Sequence, residues 1–220
     1  MSGEIIGEIL LLLGILAFAL SGALIGVRRR LDLLGVLVVG AATGTGGGIL
    51  RDMLTGVHPP VTFTYWPNLA VALGGSLIVF FFHPSLARIR TFEVVFDAFG
   101  LGLFSATGTA VAMLEGMQFG AAILIGTITA IGGGVIRDVL VNTIPAVLTR
   151  EVYAVSALLG SSLAALIFTL TEDGVMASVV GVIAAVTLRL LSYWRGWHLP
   201  MPRYTKRDIE GPPESQALGN

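Results

Sequence analysis

Apolar runs of about 20 residues alternate with short polar breaks along this chain. Seven can be read, at about 4–26, 33–57, 66–83, 93–114, 118–141, 152–170 and 175–194. Each is long enough for a helix to cross a bilayer core of about 30 Å. The first run resembles a secretory signal only in Ala17-Phe18-Ala19. Its start carries Glu4 and Glu8 and no Lys or Arg, where a signal needs positive charge, so it reads as a retained span. The pattern predicts an all-α membrane protein of seven transmembrane helices.

The polar positions within these runs repeat. Gly46-Gly47-Gly48-Ile49-Leu50-Arg51-Asp52 in span 2 recurs 86 residues on as Gly132-Gly133-Gly134-Val135-Ile136-Arg137-Asp138 in span 5. The register holds without insertions through Gly14 and Gly100, Phe18 and Phe104, Gly22 and Gly108, Thr43 and Thr129, and Pro59 and Pro145. Each copy takes an odd number of spans, so the second enters the membrane upside down about a pseudo-two-fold axis in the membrane plane. The expected units are a first three-helix repeat over 1–90 and a second, inverted one over 91–172. A seventh helix without counterpart occupies 173–198. The stretch 199–220, with Pro200, Pro202, Pro212 and Pro213, reads as a flexible cytoplasmic tail.

Charge sets an orientation. Arg28, Arg29, Arg30, Arg88, Arg90, Arg150, Arg189, Arg195, Arg203, Lys206 and Arg207 all fall on one side if the N-terminus is outside. The positive-inside rule makes that side cytoplasmic, which suits a multi-pass protein of a prokaryotic inner membrane. Tyr65, Trp66, Tyr153, Tyr193, Trp194 and Trp197 sit at span ends, as in an aromatic belt. Arg51 and Arg137, the two motif arginines, are the basic residues this scheme leaves over.

Composition acts mainly by exclusion. Hydrophobic residues make up 55% of 220 positions, too many for a soluble domain of this size to hide. A net charge of −1 offers no field for nucleic acid, and the absence of cysteine removes disulfides and thiolate chemistry. Three scattered histidines make no metal cluster. Gly44-Thr45-Gly46-Gly47-Gly48-Ile49 lacks the last glycine of a dinucleotide fingerprint, and no Lys-Ser/Thr follows for a P-loop. No nucleophile–base constellation is visible, so the chain reads as a non-enzyme without cofactor or metal.

The motif is then the candidate working part, because an Arg or Asp at mid-bilayer costs about 3 kcal/mol and is kept for a reason. Each glycine weakens a helix by about 1 kcal/mol relative to Ala, so spans 2 and 5 are expected to kink or break there. Close packing is the other use, since Gly40, Gly44 and Gly48 are spaced i, i+4. Arg51 and Asp52 point about 100° apart on a helix, which favours crossed pairs, Arg51 with Asp138 and Arg137 with Asp52, over neighbours pairing. The other reading has both arginines snorkelling to headgroups. Ser21, Ser105, Thr107 and Thr109 either line a pore or bond to their own helix carbonyls. Asp97 is either a cation attractor at the cytoplasmic mouth or a solvated helix start.

Two copies of GGG-x-x-RD on an inverted three-plus-three-plus-one plan resemble the prokaryotic branch of the trimeric intracellular cation (TRIC) channels, over roughly residues 5–195. The resemblance implies a homotrimer in membrane lipid, with an hourglass pore in each protomer for monovalent cations. K⁺ is the chief permeant ion implied, with Na⁺ beside it and bound lipid as a companion. It also implies helices kinked at Gly46, Gly47, Gly48, Gly132, Gly133 and Gly134. Animal members carry Lys-Glu-Val where this chain has Ile49-Leu50-Arg51-Asp52, so their phosphoinositide use is not carried over. The same parts suit a rival function, an alternating-access carrier holding a small zwitterion such as glycine. A third reading is a lipid-binding or assembly protein whose glycines only pack.

Overall fold

The computed structural model describes residues 2–86, 90–149 and 152–197, and its regular elements there are all helices. In chain order they are α1 (Ser2–Arg28), α2 (Leu33–Thr55), α3 (Val61–Thr64), α4 (Trp66–Leu86) and α5 (Arg90–Leu114). After these come α6 (Phe119–Leu140), α7 (Ala146–Thr149), α8 (Tyr153–Thr171) and α9 (Gly174–Arg195). The seven long helices follow the seven apolar runs within a few residues. Six are long and apolar enough to cross a membrane, and α4 is the seventh, with a shorter apolar stretch over Trp66–Phe82. The tail at 199–220, with Arg203, Lys206 and Arg207, lies outside the described residues, as do Arg88 and Arg150.

Local chemistry sets the helix limits. Asp32 caps α2 by accepting from the Gly35 amide at 2.7 Å, and Gly56 ends the helix in the left-handed region at φ 79°. Asp173 caps α9 through the Val175 and Met176 amides. The short helices α3 and α7 were not expected. Each begins directly after a proline, Pro60 or Pro145, whose fixed φ suits a helix start.

Helices α1, α2 and α4 pack as one bundle and α5, α6 and α8 as another; α1 meets α5, α2 meets α6, and α9 lies on α5 and α8. The seam between the bundles is built from reciprocal contacts. Phe18 and Phe104 meet edge to face with centroids 5.3 Å apart, both fully buried. A methyl on Gly14 would strike the Phe104 ring, and one on Gly100 would strike Phe18. A methyl on Gly47 would collide with the Thr129 carbonyl oxygen, and one on Gly133 with that of Thr43. Gly46 faces Ile136 in the same way as Gly132 faces Leu50. The central glycines therefore turn a Cα–H toward a carbonyl of the other helix, an approach no other residue permits.

The glycine triplets do not break their helices. α2 continues through Gly46, Gly47 and Gly48 to Thr55, and α6 through Gly132, Gly133 and Gly134 to Leu140. The tight crossing of α2 over α6 explains why side chains are missing at 47 and 133. It does not explain Gly48, where an added methyl would meet nothing within 4 Å.

Candidate functional site

Both Arg-Asp dyads are buried, with Arg51, Asp52, Arg137 and Asp138 each 5% exposed or less. Neither arginine snorkels, and the crossed pairs do not form. Each arginine bonds the aspartate that follows it. Arg51 donates from Nε at 2.9 Å and Nη2 at 2.6 Å to Asp52 Oδ1, and Arg137 donates from Nε to Asp138 Oδ1 at 2.9 Å. The 100° between adjacent positions separates Cβ directions, but the arginine arm is long enough to fold back across it. The second aspartate oxygen supplies the missing constraint. Asp52 Oδ2 accepts from the Val61 amide at 2.8 Å and Asp138 Oδ2 from the Ala146 amide at 2.8 Å. Those amides open α3 and α7, so each carboxylate ties a buried arginine to the start of the loop helix that follows its span.

The two halves then diverge. Arg137 Nη1 also donates to Asp97 Oδ1 at 2.6 Å and to Ser21 Oγ at 2.9 Å. Asp97 is 3% exposed, so it is neither a solvated helix start nor a free charge at a mouth. The Tyr153 hydroxyl donates to the same Asp97 oxygen at 3.4 Å, and the Arg189 guanidinium lies over the Tyr153 ring at 4.8 Å. Tyr153 and Arg189 are buried, at 1% and 3% exposed, whereas sequence placed one in an aromatic belt and the other in the cytoplasmic charge count. The signal available for Arg189 was its depth, nearly two turns before the end of α9 at Arg195. Trp66 and Trp194, by contrast, are 76% and 67% exposed. At the same end of the α1–α5 pair as the Arg137 cluster, Arg28 at the end of α1 pairs with Glu93 at the start of α5.

The four hydroxyls take different places. Ser21 joins the Arg137 cluster, while Thr107 bonds its own Leu103 carbonyl and lines a cavity. Thr109 bonds the Ser105 carbonyl and packs against Gly126 of α6; Ser105 bonds the Gly102 carbonyl and packs against Gly160 of α8. The cavity, of about 870 Å³, lies at the end where α1 begins and α5 finishes. Arg51 and Thr107 line its inner part, and Glu4, Glu8, Glu172 and Asp173 also line it. The Arg137 cluster draws on Ser21 late in α1 and Asp97 early in α5, so the two guanidiniums sit toward opposite ends of the α1–α5 pair. Among the described residues no acidic or histidine cluster has metal-holding geometry.

Seven apolar helices around two buried, internally neutralised Arg-Asp dyads define a polytopic membrane protein with polar groups held inside its helix bundle. The profile of a family described as glycine transporter matches the chain twice, over 8–84 and again over 94–169. The membrane protein YvgT of Bacillus subtilis is 35% identical over 88% of this chain and 95% of its own length. Among solved structures, a TRIC cation channel shares 37% identity over 90% of this chain and 98% of the other, with a TM-score of 0.82. The TRIC trimeric intracellular cation channel orthologue from Rhodobacter sphaeroides shares 33% over 87% and 98%, also at 0.82. The chain belongs to the family that the profile describes and the TRIC structures represent, as its doubled motif suggested.

Proposed function

We propose that this chain is a channel for monovalent cations, chiefly K⁺, acting as a homotrimer with a conduction path inside each protomer. The observation that carries the reading is its whole-length likeness, at 37% identity, to a protein solved as a TRIC cation channel. The charge arrangement agrees with it. An uncompensated guanidinium 4 Å from a permeating cation would repel it by about 4 kcal/mol at an effective dielectric of 20, and here each arginine carries its own carboxylate. In this reading the path follows α2 and α6 past Gly46, Gly47, Gly48, Gly132, Gly133 and Gly134, which bend those helices without breaking them. Arg51, Asp52, Arg137, Asp138 and Asp97 flank the path as charged groups, and Ser21, Ser105, Thr107 and Thr109 supply hydroxyls.

The inverted repeat belongs to the same proposal. The twofold profile match and the reciprocal glycine contacts support units over 1–90 and 91–172, with α9 as an addition. The orientation is part of the proposal too, with the N-terminus outside and the C-terminus in the cytoplasm of a prokaryotic cell. No resident cofactor is involved; the cation is cargo, and lipid is the surrounding partner.

Purified protein in planar bilayers is expected to give discrete unitary K⁺ currents whose reversal potential tracks the K⁺ gradient. Saturable glycine counterflow without unitary currents would establish the carrier reading instead. Asp138→Asn leaves Arg137 with Asp97 as its carboxylate and should lower unitary K⁺ conductance by about tenfold, the effect of about 1.4 kcal/mol of added repulsion. Glu115→Gln, in the exposed turn after α5, should leave it unchanged. Equal conductance in the two variants would place Asp138 away from the path.

A further inference from the structure

The two halves of the molecule differ at one point that indicates a ligand. Arg137 Nη1 is held by Asp97 and Ser21. In the 86-residue register the counterparts of those partners are Leu11 and Thr107, and both line the 870 Å³ cavity together with Arg51. Where the second half has a carboxylate on its guanidinium, the first half has a leucine and open space. Arg51 Nε and Nη2 are satisfied by Asp52, but among the described residues Nη1 has no protein acceptor. Arg51 is 95% buried, so it presents to the cavity a donor that favours an anionic oxygen.

The rest of the cavity has the opposite character. Glu4, Glu8 and Leu11 form one stripe along α1, and Glu172 and Asp173 face it from the α8–α9 turn. A simple anion is repelled by this rim, and a simple cation leaves the Arg51 Nη1 donor without an acceptor. Apolar walls from Leu11, Val111, Leu114 and Val175 connect the two. At 1.5 Å of rise per residue, Glu8 and Glu4 lie roughly 5 and 10 Å along the helix axis from Leu11. A ligand whose carboxylate sits beside Leu11 therefore spans this distance best with a chain between its charges, which an α-amino acid, carrying both groups on one carbon, lacks.

We propose that this cavity binds a linear ω-amino carboxylate, with its carboxylate on Arg51 Nη1 in the place that Asp97 fills in the other half. Its hydrocarbon chain lies against Leu11 and Val111, and its ammonium reaches Glu8 or Glu4. The site shares Arg51 and Thr107 with the proposed path, but its test does not depend on that reading, because binding is measured without ion flux and can hold whether or not the protein conducts.

Calorimetric titration of the full chain in detergent with 6-aminohexanoate tests it. Saturable binding is expected, with hexylamine and glycine weaker by roughly tenfold or more through loss of the contact with buried Arg51. Hexanoate should be weaker by a smaller factor of roughly threefold, because Glu4 and Glu8 are exposed. Leu11→Asp rebuilds the internal carboxylate of the other half and should abolish binding while the protein still elutes as the parent does. If that variant fails to fold, the double variant Glu4→Gln/Glu8→Gln, at exposed positions, should weaken 6-aminohexanoate and not hexanoate. Glycine or hexylamine binding as tightly as 6-aminohexanoate would overturn the proposal. So would an absence of saturable binding, or full binding by a folded Leu11→Asp protein.

Discussion

Gly47→Ala and Gly133→Ala are each expected to lower the heat-denaturation midpoint of the detergent-purified protein sharply, whereas Gly48→Ala is not. A methyl at 47 or 133 points into a main-chain carbonyl of the facing helix, Thr129 or Thr43, which cannot rotate aside. The α2–α6 crossing must then open, at about 3 kcal/mol, the upper part of the usual overpacking range. Gly48 belongs to the same triplet, yet a methyl there meets nothing within 4 Å. Alanine at 48 should instead favour the helix by up to about 1 kcal/mol. Fluorescence-monitored melting of the three variants decides the matter. If all three behaved alike, the triplet would be acting as a flexible segment rather than as a contact surface.

The second large effect is expected at Asp97. Asp97→Asn removes the carboxylate that Arg137 Nη1 and the Tyr153 hydroxyl share, leaves Asp138 to balance the fully buried guanidinium, and should cost about 2 kcal/mol as a lost charged hydrogen bond. The melting midpoint should fall well below that of Glu93→Gln, whose partner Arg28 is partly exposed. The double variant Asp97→Leu/Arg137→Leu should be less stable still, because it leaves Asp138 buried without its guanidinium. An Asp97→Asn protein as stable as its parent would mean that water reaches Arg137 and takes over from the carboxylate.

The long helices were legible because membrane burial writes itself into runs of apolar residues, and the seven runs became α1, α2, α4, α5, α6, α8 and α9. The duplication was legible for a similar reason, since the constant register of Gly14, Phe18, Thr43 and Gly47 with their counterparts reflects contacts at the centre. The partners of the charges were not. Pairing within Arg51-Asp52 depends on how the loop after α2 returns, because the Val61 amide orients the carboxylate from outside the motif. Asp97, Tyr153 and Arg189 come from three different helices, and nothing in a linear reading brings them together. Tyr153 looked like a belt aromatic because position along a span gives depth in the membrane and not the direction a side chain faces.

The reciprocal contacts across the seam carry a consequence for origin. When Gly47 meets Thr129 and Gly133 meets Thr43, the interface is isologous, like that of a two-fold dimer. A single three-helix unit could bury the same surface against a copy of itself inserted the other way up. An ancestor of that kind would look the same from both faces of the membrane, since every change in one half would appear in the other. Fusing two such copies into one chain would release that constraint, and Leu11 opposite Asp97 is a position where the two halves differ. One end holds a sealed ion-pair cluster and the other an open cavity. The molecule thereby acquired a front and a back.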